Sequence, residues 1–155
     1  MKHLWTKIII TLGVIGIAFV VGRLLFVDNR ASDEGTIYLE LLDDEGTIVF
    51  SQTLSYQEGD TFFDILHRHF NVTCANGSYE ADPSCEYTFS SFAYQGKVIL
   101  GISGEDFSLM SDWSNTFLAF YVKHEDDFVL STSGPSQIPF EDGDEFQIVL
   151  ESVWE

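Results

Sequence analysis

An apolar run near the N-terminus divides this chain into two parts of different chemistry. Residues Ile8 to Gly22 carry no charged side chain, and beyond Arg23 the apolar character continues to Val27. The span Ile8–Val27 has 20 residues, and a helix of that length is about 30 Å long, the thickness of a bilayer's hydrocarbon core. Arg23 lies near one end, where its long side chain can reach the headgroups. We therefore expect residues 1–27 to form an N-terminal transmembrane helix.

A cleaved signal peptide is the alternative interpretation of this segment, because a basic start followed by an apolar stretch is typical of both. The residues that follow the run are bulky, so no small-x-small cleavage site is present. Lys2 and Lys7 favour a cytoplasmic N-terminus. The sequence thus predicts a single-pass protein of the cell membrane whose C-terminal domain is extracytoplasmic.

The remainder of the chain is strongly acidic. After residue 30 there are three basic residues and 24 acidic ones, a formal charge of −21. Phosphates would be repelled by such a surface, which excludes nucleic acid as a partner. The charge favours solubility first, and secondarily attraction of cations or of a basic partner.

The body is long enough to form one domain with its own core. We expect residues 28–35, rich in Asp, Asn, Ser and Gly, to be a linker, and residues 36–155 to fold as one extracytoplasmic domain. With 14 Phe, six Tyr and three Trp in the chain, material for a core is ample.

The domain contains two cysteines, Cys74 and Cys85. Outside the membrane such a pair is typical of a disulfide. A metal site needs more ligands than two thiolates, and a redox pair is more often spaced Cys-x-x-Cys. We therefore expect a structural disulfide.

The periodicity of the sequence predicts a hairpin, one helix and then several strands. Thr36–Leu42 and Thr47–Leu54 are rich in strand-forming residues, and Asp60–Phe70 has apolar residues at helical spacing behind a Thr61–Asp64 capping box. Further strands are expected at Tyr87–Phe92, Lys97–Ile102, Thr116–Lys123, Phe128–Ser131 and Glu145–Val153. The predicted fold class is α+β, a β-grasp-like mixed sheet with one main helix.

Several segments, taken in order, resemble one known family. They are "YQEGDTFFDILHRHF", "AYQGKVILGISG", "WSNTFLAFYVK" and "STSGPSQIPFEDGDEFQIVLE". Their order is similar to that of the transcobalamin-like C-terminal domain family of bacterial surface proteins, which is related to soluble-ligand-binding β-grasp domains. The resemblance covers residues 35–151 and implies a ligand- or protein-binding module, with cobalamin as one possible ligand. Lys123 replaces the family's Asn, and the spacing from Trp113 to Tyr121 is stretched, so the ligand's identity does not carry over.

Four aromatic residues are the candidate ligand-binding residues, because they fall in the segments that match the family's binding edge and combine a large contact area with a polar handle. They are Tyr94, Trp113, Phe117 and Tyr121. The alternative is that most of them belong to the core.

No catalytic, metal or cofactor site is expected, and the chain is predicted not to be an enzyme. His67 and His69 are two residues apart, so on a helix they point in different directions. The segment Gly101–Gly104 only partly fits a nucleophile elbow, since its second Gly is misplaced.

The sequence therefore predicts a membrane-anchored extracytoplasmic binding module. It would capture a small ligand, cobalamin-like or other, for a transporter. The alternative is a cell-surface protein-interaction or adhesion domain that uses its acidic face or a sheet edge.

Overall fold

The domain is built mainly from β-strands. The computed structural model describes residues 29–90, 95–112 and 114–153, and strands account for 48% of them. In chain order the strands are Gly35–Leu42 (β1), Ile48–Tyr56 (β2), Asn71–Ala75 (β3), Ala81–Asp82 (β4), Phe89–Ser90 (β5), Gln95–Gly96 (β6), Ile99–Ser103 (β7), Ser108–Met110 (β8), Thr116–His124 (β9), Asp127–Leu130 (β10) and Glu145–Ser152 (β11). One helix within these ranges, Phe62–His69 (α1), lies between β2 and β3.

The largest sheet has five strands in the order β10-β9-β11-β1-β2. The central strand, β11, runs parallel to its neighbour β1, and every other neighbouring pair in the sheet is antiparallel. Residues Ile37, Leu39 and Leu41 of β1 are fully buried. This follows from the alternation of side chains along a strand, which directs every second residue to the core.

Helix α1 covers the inner face of this sheet. Thr61 caps its first turn, with its side chain accepting from the Asp64 N–H while the Asp64 carboxylate accepts from the Thr61 N–H, so the predicted capping box is confirmed. Phe62 is fully buried, and its ring centroid lies 4.6 Å from that of Phe146 on β11 and 6.5 Å from that of Phe120 on β9. The core thus lies between α1 and the five-stranded sheet.

A second sheet of four strands, in the order β4-β3-β7-β8, closes the other side of the core. Val72, Ile102 and Leu109 contribute its buried side chains. Cys74 on β3 is bonded to Cys85, so the predicted disulfide is confirmed. A small two-stranded sheet, β5-β6, follows the disulfide loop.

The predicted fold class, one β-grasp-like mixed sheet with one main helix behind a transmembrane helix, is wrong. The described residues form three sheets, and α1 has only eight residues. Strands β3 and β8 were missed. Each is a strand because it pairs with β7, and no local pattern in the sequence encodes that pairing. The predicted transmembrane segment lies outside the described residues. In the described part of the chain, no helix is both long enough and apolar enough to cross a membrane.

An ion pair between nearly buried Asp60 and the more exposed Arg68 fixes the turn that leads into α1. Asp60 is 9% exposed, and its carboxylate accepts two hydrogen bonds of 2.6 Å from the Arg68 guanidinium and one of 2.7 Å from the Gln57 N–H. The hydrogen bond from Arg68 is the main reason that the pKa of Asp60 lies below its usual value. The main chain of Asp60 also accepts from the Ala31 N–H at 2.8 Å, which ties the start of the described chain to this turn.

We predict that this pair makes the domain acid-sensitive. Because the folded-state pKa of Asp60 is lower than the unfolded value of about 3.9, its stabilisation is complete above that value and is lost as the pH falls through the folded pKa. Asp60→Asn should lower the free energy of unfolding at pH 7 by about 2 kcal/mol and flatten its decline at acid pH. Urea denaturation across pH 2–7 measures both effects. The exposed turn variant Asp44→Asn is the control, and an unchanged acid slope in Asp60→Asn would contradict the prediction.

Candidate binding groove

A groove of about 550 Å³ runs between the first half of β9 and the segment from β6 into β7. Its apolar surface comes from Val98 and Leu100 on one side and from Leu118 and Phe120 on the other. Phe117 also lines the groove and is 39% exposed. The loop at residues 132–137 closes one end and supplies hydroxyl and amide groups. A cleft that combines apolar walls with polar groups is a usual form of binding site.

The edge of β9 that faces the groove is only half covered by its neighbour. Strand β10 pairs with the second half of β9 alone, from His124 back to Tyr121. Beyond the end of β10, the Ser131 N–H donates to the Phe120 carbonyl at 2.7 Å, and the chain then leaves the sheet. The first half of β9 therefore has β11 on one side and the groove on the other.

Leu118 directs a main-chain donor and acceptor into this groove. The carbonyl of Phe120 points towards the β10 side, and the carbonyl of Thr116, which accepts from the Ser111 hydroxyl at 2.6 Å, belongs to the same edge. Main-chain groups alternate between the two edges of a strand, so those of Leu118, midway between, also face away from β11. Among the described residues, no strand pairs with them.

The opposite wall of the groove is held in place by hydrogen bonds. The Lys97 N–H donates to the Ser136 hydroxyl at 3.1 Å, and the Gln137 amide donates to the Gln95 side chain at 3.0 Å. The Phe63 N–H donates to the carbonyl of Pro135 at 3.0 Å, which joins the loop to α1. The groove is therefore formed before any ligand arrives.

Lys97 has a structural role here in spite of its charge. Its ammonium group donates to the main-chain carbonyls of Glu86 and Tyr87, at 2.9 and 3.1 Å. These bonds attach the loop after the disulfide to the wall of the groove. Lys97 is the one charged side chain among the described residues of the lining.

A carboxylate fixes the beginning of β9. Asp112 accepts hydrogen bonds from the main-chain N–H groups of Ser114, Asn115 and Thr116, at 3.0, 2.7 and 2.9 Å. These bonds, that from Asn115 first, hold the pKa of Asp112 far below its usual range. This end of the free edge therefore carries a permanent negative charge at neutral pH.

Two of the four predicted site residues, Phe117 and Tyr121, lie in the part of the chain that the structure describes. Phe117 lines the groove, as stated above. Tyr121 does not line it; its hydroxyl donates to Glu151 across the sheet, and this bond raises the pKa of Tyr121. Tyr94 and Trp113 lie outside the described residues. Sequence reasoning missed Leu118 and the closing loop, because their importance depends on where β10 ends, and no local pattern encodes that end.

The two histidines of α1 are occupied in packing and bonding. His67 stacks on Phe63 with ring centroids 5.6 Å apart, and the His69 ring is 3.0 Å from the Ser55 carbonyl. Over residues 29–90, 95–112 and 114–153, no group of three or more His, Cys, Asp or Glu is arranged to hold a metal ion.

A second cavity of about 660 Å³ lies near Arg30, Lys123 and His124, with Glu141 and Asp144 also in its lining. Part of its positive charge is already neutralised, because the Lys123 ammonium group lies 2.7 Å from the Glu145 carboxylate. Mixed charge of this kind favours no single ligand class. The groove along β9 is therefore the stronger candidate.

No protein-family model matches this chain, and no curated protein matches it either. The resemblance to the transcobalamin-like family therefore stays a prediction. The function has to be argued from the geometry of the groove.

We predict that Gly96 is needed for the close contact between β6 and the closing loop. Its φ is +93°, and a Cβ atom there would lie 2.7 Å from the Cβ of Ser136. Gly143 has a similar φ of +86° but open space around a Cβ atom, so Gly143→Ala measures the backbone cost alone, about 1 kcal/mol. Gly96→Ala should cost at least about 1 kcal/mol more in urea denaturation, because the wall of the groove must shift. Equal losses in the two variants would contradict the prediction.

Proposed function

We propose that this chain is an extracytoplasmic binding module that holds its ligand in the groove along β9. The observation that carries the proposal is the groove itself. Exposed Phe117, buried apolar side chains and the free main-chain groups of Leu118 converge there, opposite a wall already fixed by hydrogen bonds. A preformed site loses little conformational entropy on binding, which favours affinity.

The disulfide supports an extracytoplasmic location. Cys74 and Cys85 are joined, and such bonds persist in oxidising compartments but are rare in the cytosol. Attachment to a membrane through residues 8–27 stays a prediction of the sequence.

A small ligand is the first candidate for this site. The volume of about 550 Å³ falls within the range of roughly 300–1,000 Å³ that is typical of small-molecule sites. Cobalamin is one such candidate, and it rests on the family resemblance alone. Delivery to a transporter is part of the same proposal.

A protein-interaction or adhesion role is the second candidate, and the open edge of β9 favours it. A free strand edge is a template for pairing with another chain. The acidic surface of the domain adds attraction for a basic partner.

The groove can be tested before its ligand is known. We would record amide NMR spectra of the full chain, in a mild detergent, against a library of soluble small-molecule fragments that includes cyanocobalamin. The hits should shift the amides of Leu118 and Phe120. Phe117→Ala should weaken the affinity of the hits about tenfold, a loss of about 1.4 kcal/mol of binding free energy, because the exposed ring supplies contact area at the groove.

Phe128→Ala is the matched control, since it removes a ring from β10, outside the groove lining. The affinity of the hits should be unchanged in this variant. Hits that shift residues elsewhere, or that bind equally well to Phe117→Ala, would contradict the groove as the binding site.

A further inference from the structure

The free edge of β9 specifies the chemistry of what can bind beside it. Leu118 is 8% exposed, and its N–H and C=O face the groove without a strand partner among the described residues. Main-chain polar groups in a protein interior are nearly always paired. One residue of an extended chain, placed antiparallel to β9, satisfies both groups at once, because such residues exchange two hydrogen bonds.

The side chains around this edge suit a strand as the occupant. A strand adding to a sheet lies about 4.8 Å from its neighbour and directs alternate side chains to opposite faces. On the inner side these would contact Phe120 and Val98, and on the other side they would meet the exposed ring of Phe117. The groove therefore favours apolar residues at alternate positions of its ligand.

The charge of the domain selects among possible strands. A second copy of this chain would bring together two molecules with a formal charge of −18 each, which opposes self-association at low salt. Asp112 stands at the start of the free edge, and the ammonium group of Lys97 in the groove lining is already bonded to two main-chain carbonyls. Lysine and arginine side chains of a ligand would meet the Asp112 carboxylate and the net negative charge of the domain, so charge complementarity favours a basic partner.

We infer that the ligand of the groove is an extended basic peptide segment that adds to the free edge of β9 opposite Leu118. This inference rests on the proposed function, since it names the ligand class for the same groove. Main-chain bonds to β9 would supply affinity, and the alternate side chains would supply selectivity, as in other cases of strand addition.

The test uses a pair of peptides on the unmodified protein. The first is a fluorescein-labelled nonapeptide that alternates valine with lysine and threonine, and the second is the same peptide N-methylated at its five central residues. N-methylation removes the N–H donors that strand pairing needs and keeps charge and side chains. Fluorescence anisotropy with the full chain in mild detergent should show at least tenfold weaker binding of the methylated peptide.

A pair of protein variants separates this inference from the proposed function. Ser133→Trp introduces a large side chain into the groove lining, and Gln52→Trp places the same side chain on the exposed surface of β2, at the far edge of the sheet. Ser133→Trp should lower the affinity for the unmethylated peptide at least tenfold, and Gln52→Trp should leave that affinity unchanged.

Each other outcome overturns one of the two proposals. Equal binding of both peptides, or no binding of the first one, overturns strand addition, while fragment hits that map to the groove would still support the proposed function. Peptide binding that Ser133→Trp leaves unchanged overturns the groove as the site. Dimers in sedimentation that Ser133→Trp dissociates would identify a second copy as the occupant and overturn the basic peptide.

Discussion

The pairing of β1 with β11 at the centre of the five-stranded sheet is the contact on which the rest of the domain depends. It joins the first strand to the last one, in a register that places Tyr38 beside Glu145 and Leu41 beside Ile148. The two strands carry much of the fully buried core, and Phe62 of α1 packs against it. Because β11 pairs with one edge of β9, only the other edge of β9 is left for another strand.

The open edge follows from what happens after β10. The chain leaves the sheet at Ser131 because Pro135 bonds to α1 and Ile138 is fully buried in the core. Burying a side chain of that size stabilises a domain by about 1.5–3 kcal/mol. The same burial that completes the core thus ends the pairing of β10 early, and Leu118 lies beside the groove without a strand partner among the described residues. The loop after β10 therefore contributes both to the stability of the core and to the shape of the groove.

The sequence was informative where the signals are local. The capping box of Thr61 and Asp64 and the disulfide of Cys74 and Cys85 could both be predicted, since each depends on short spacing. The fold class could not, because β3 and β8 become strands only through their pairing with β7. The groove could not be predicted from the sequence either. Phe117 was identified for its aromatic ring, but the free edge beside it depends on long-range packing.

Amide hydrogen exchange of the free chain would show whether the first half of β9 has an unpaired edge. The amides of Phe117 and Ala119 face β11 and should be protected, whereas that of Leu118, between them, faces the groove. We expect the Leu118 amide to exchange at least about tenfold faster than the amides of its two neighbours, because exchange of an amide without a hydrogen-bond partner does not require local unfolding. Equal protection of all three amides would contradict this expectation and show that the edge is already paired.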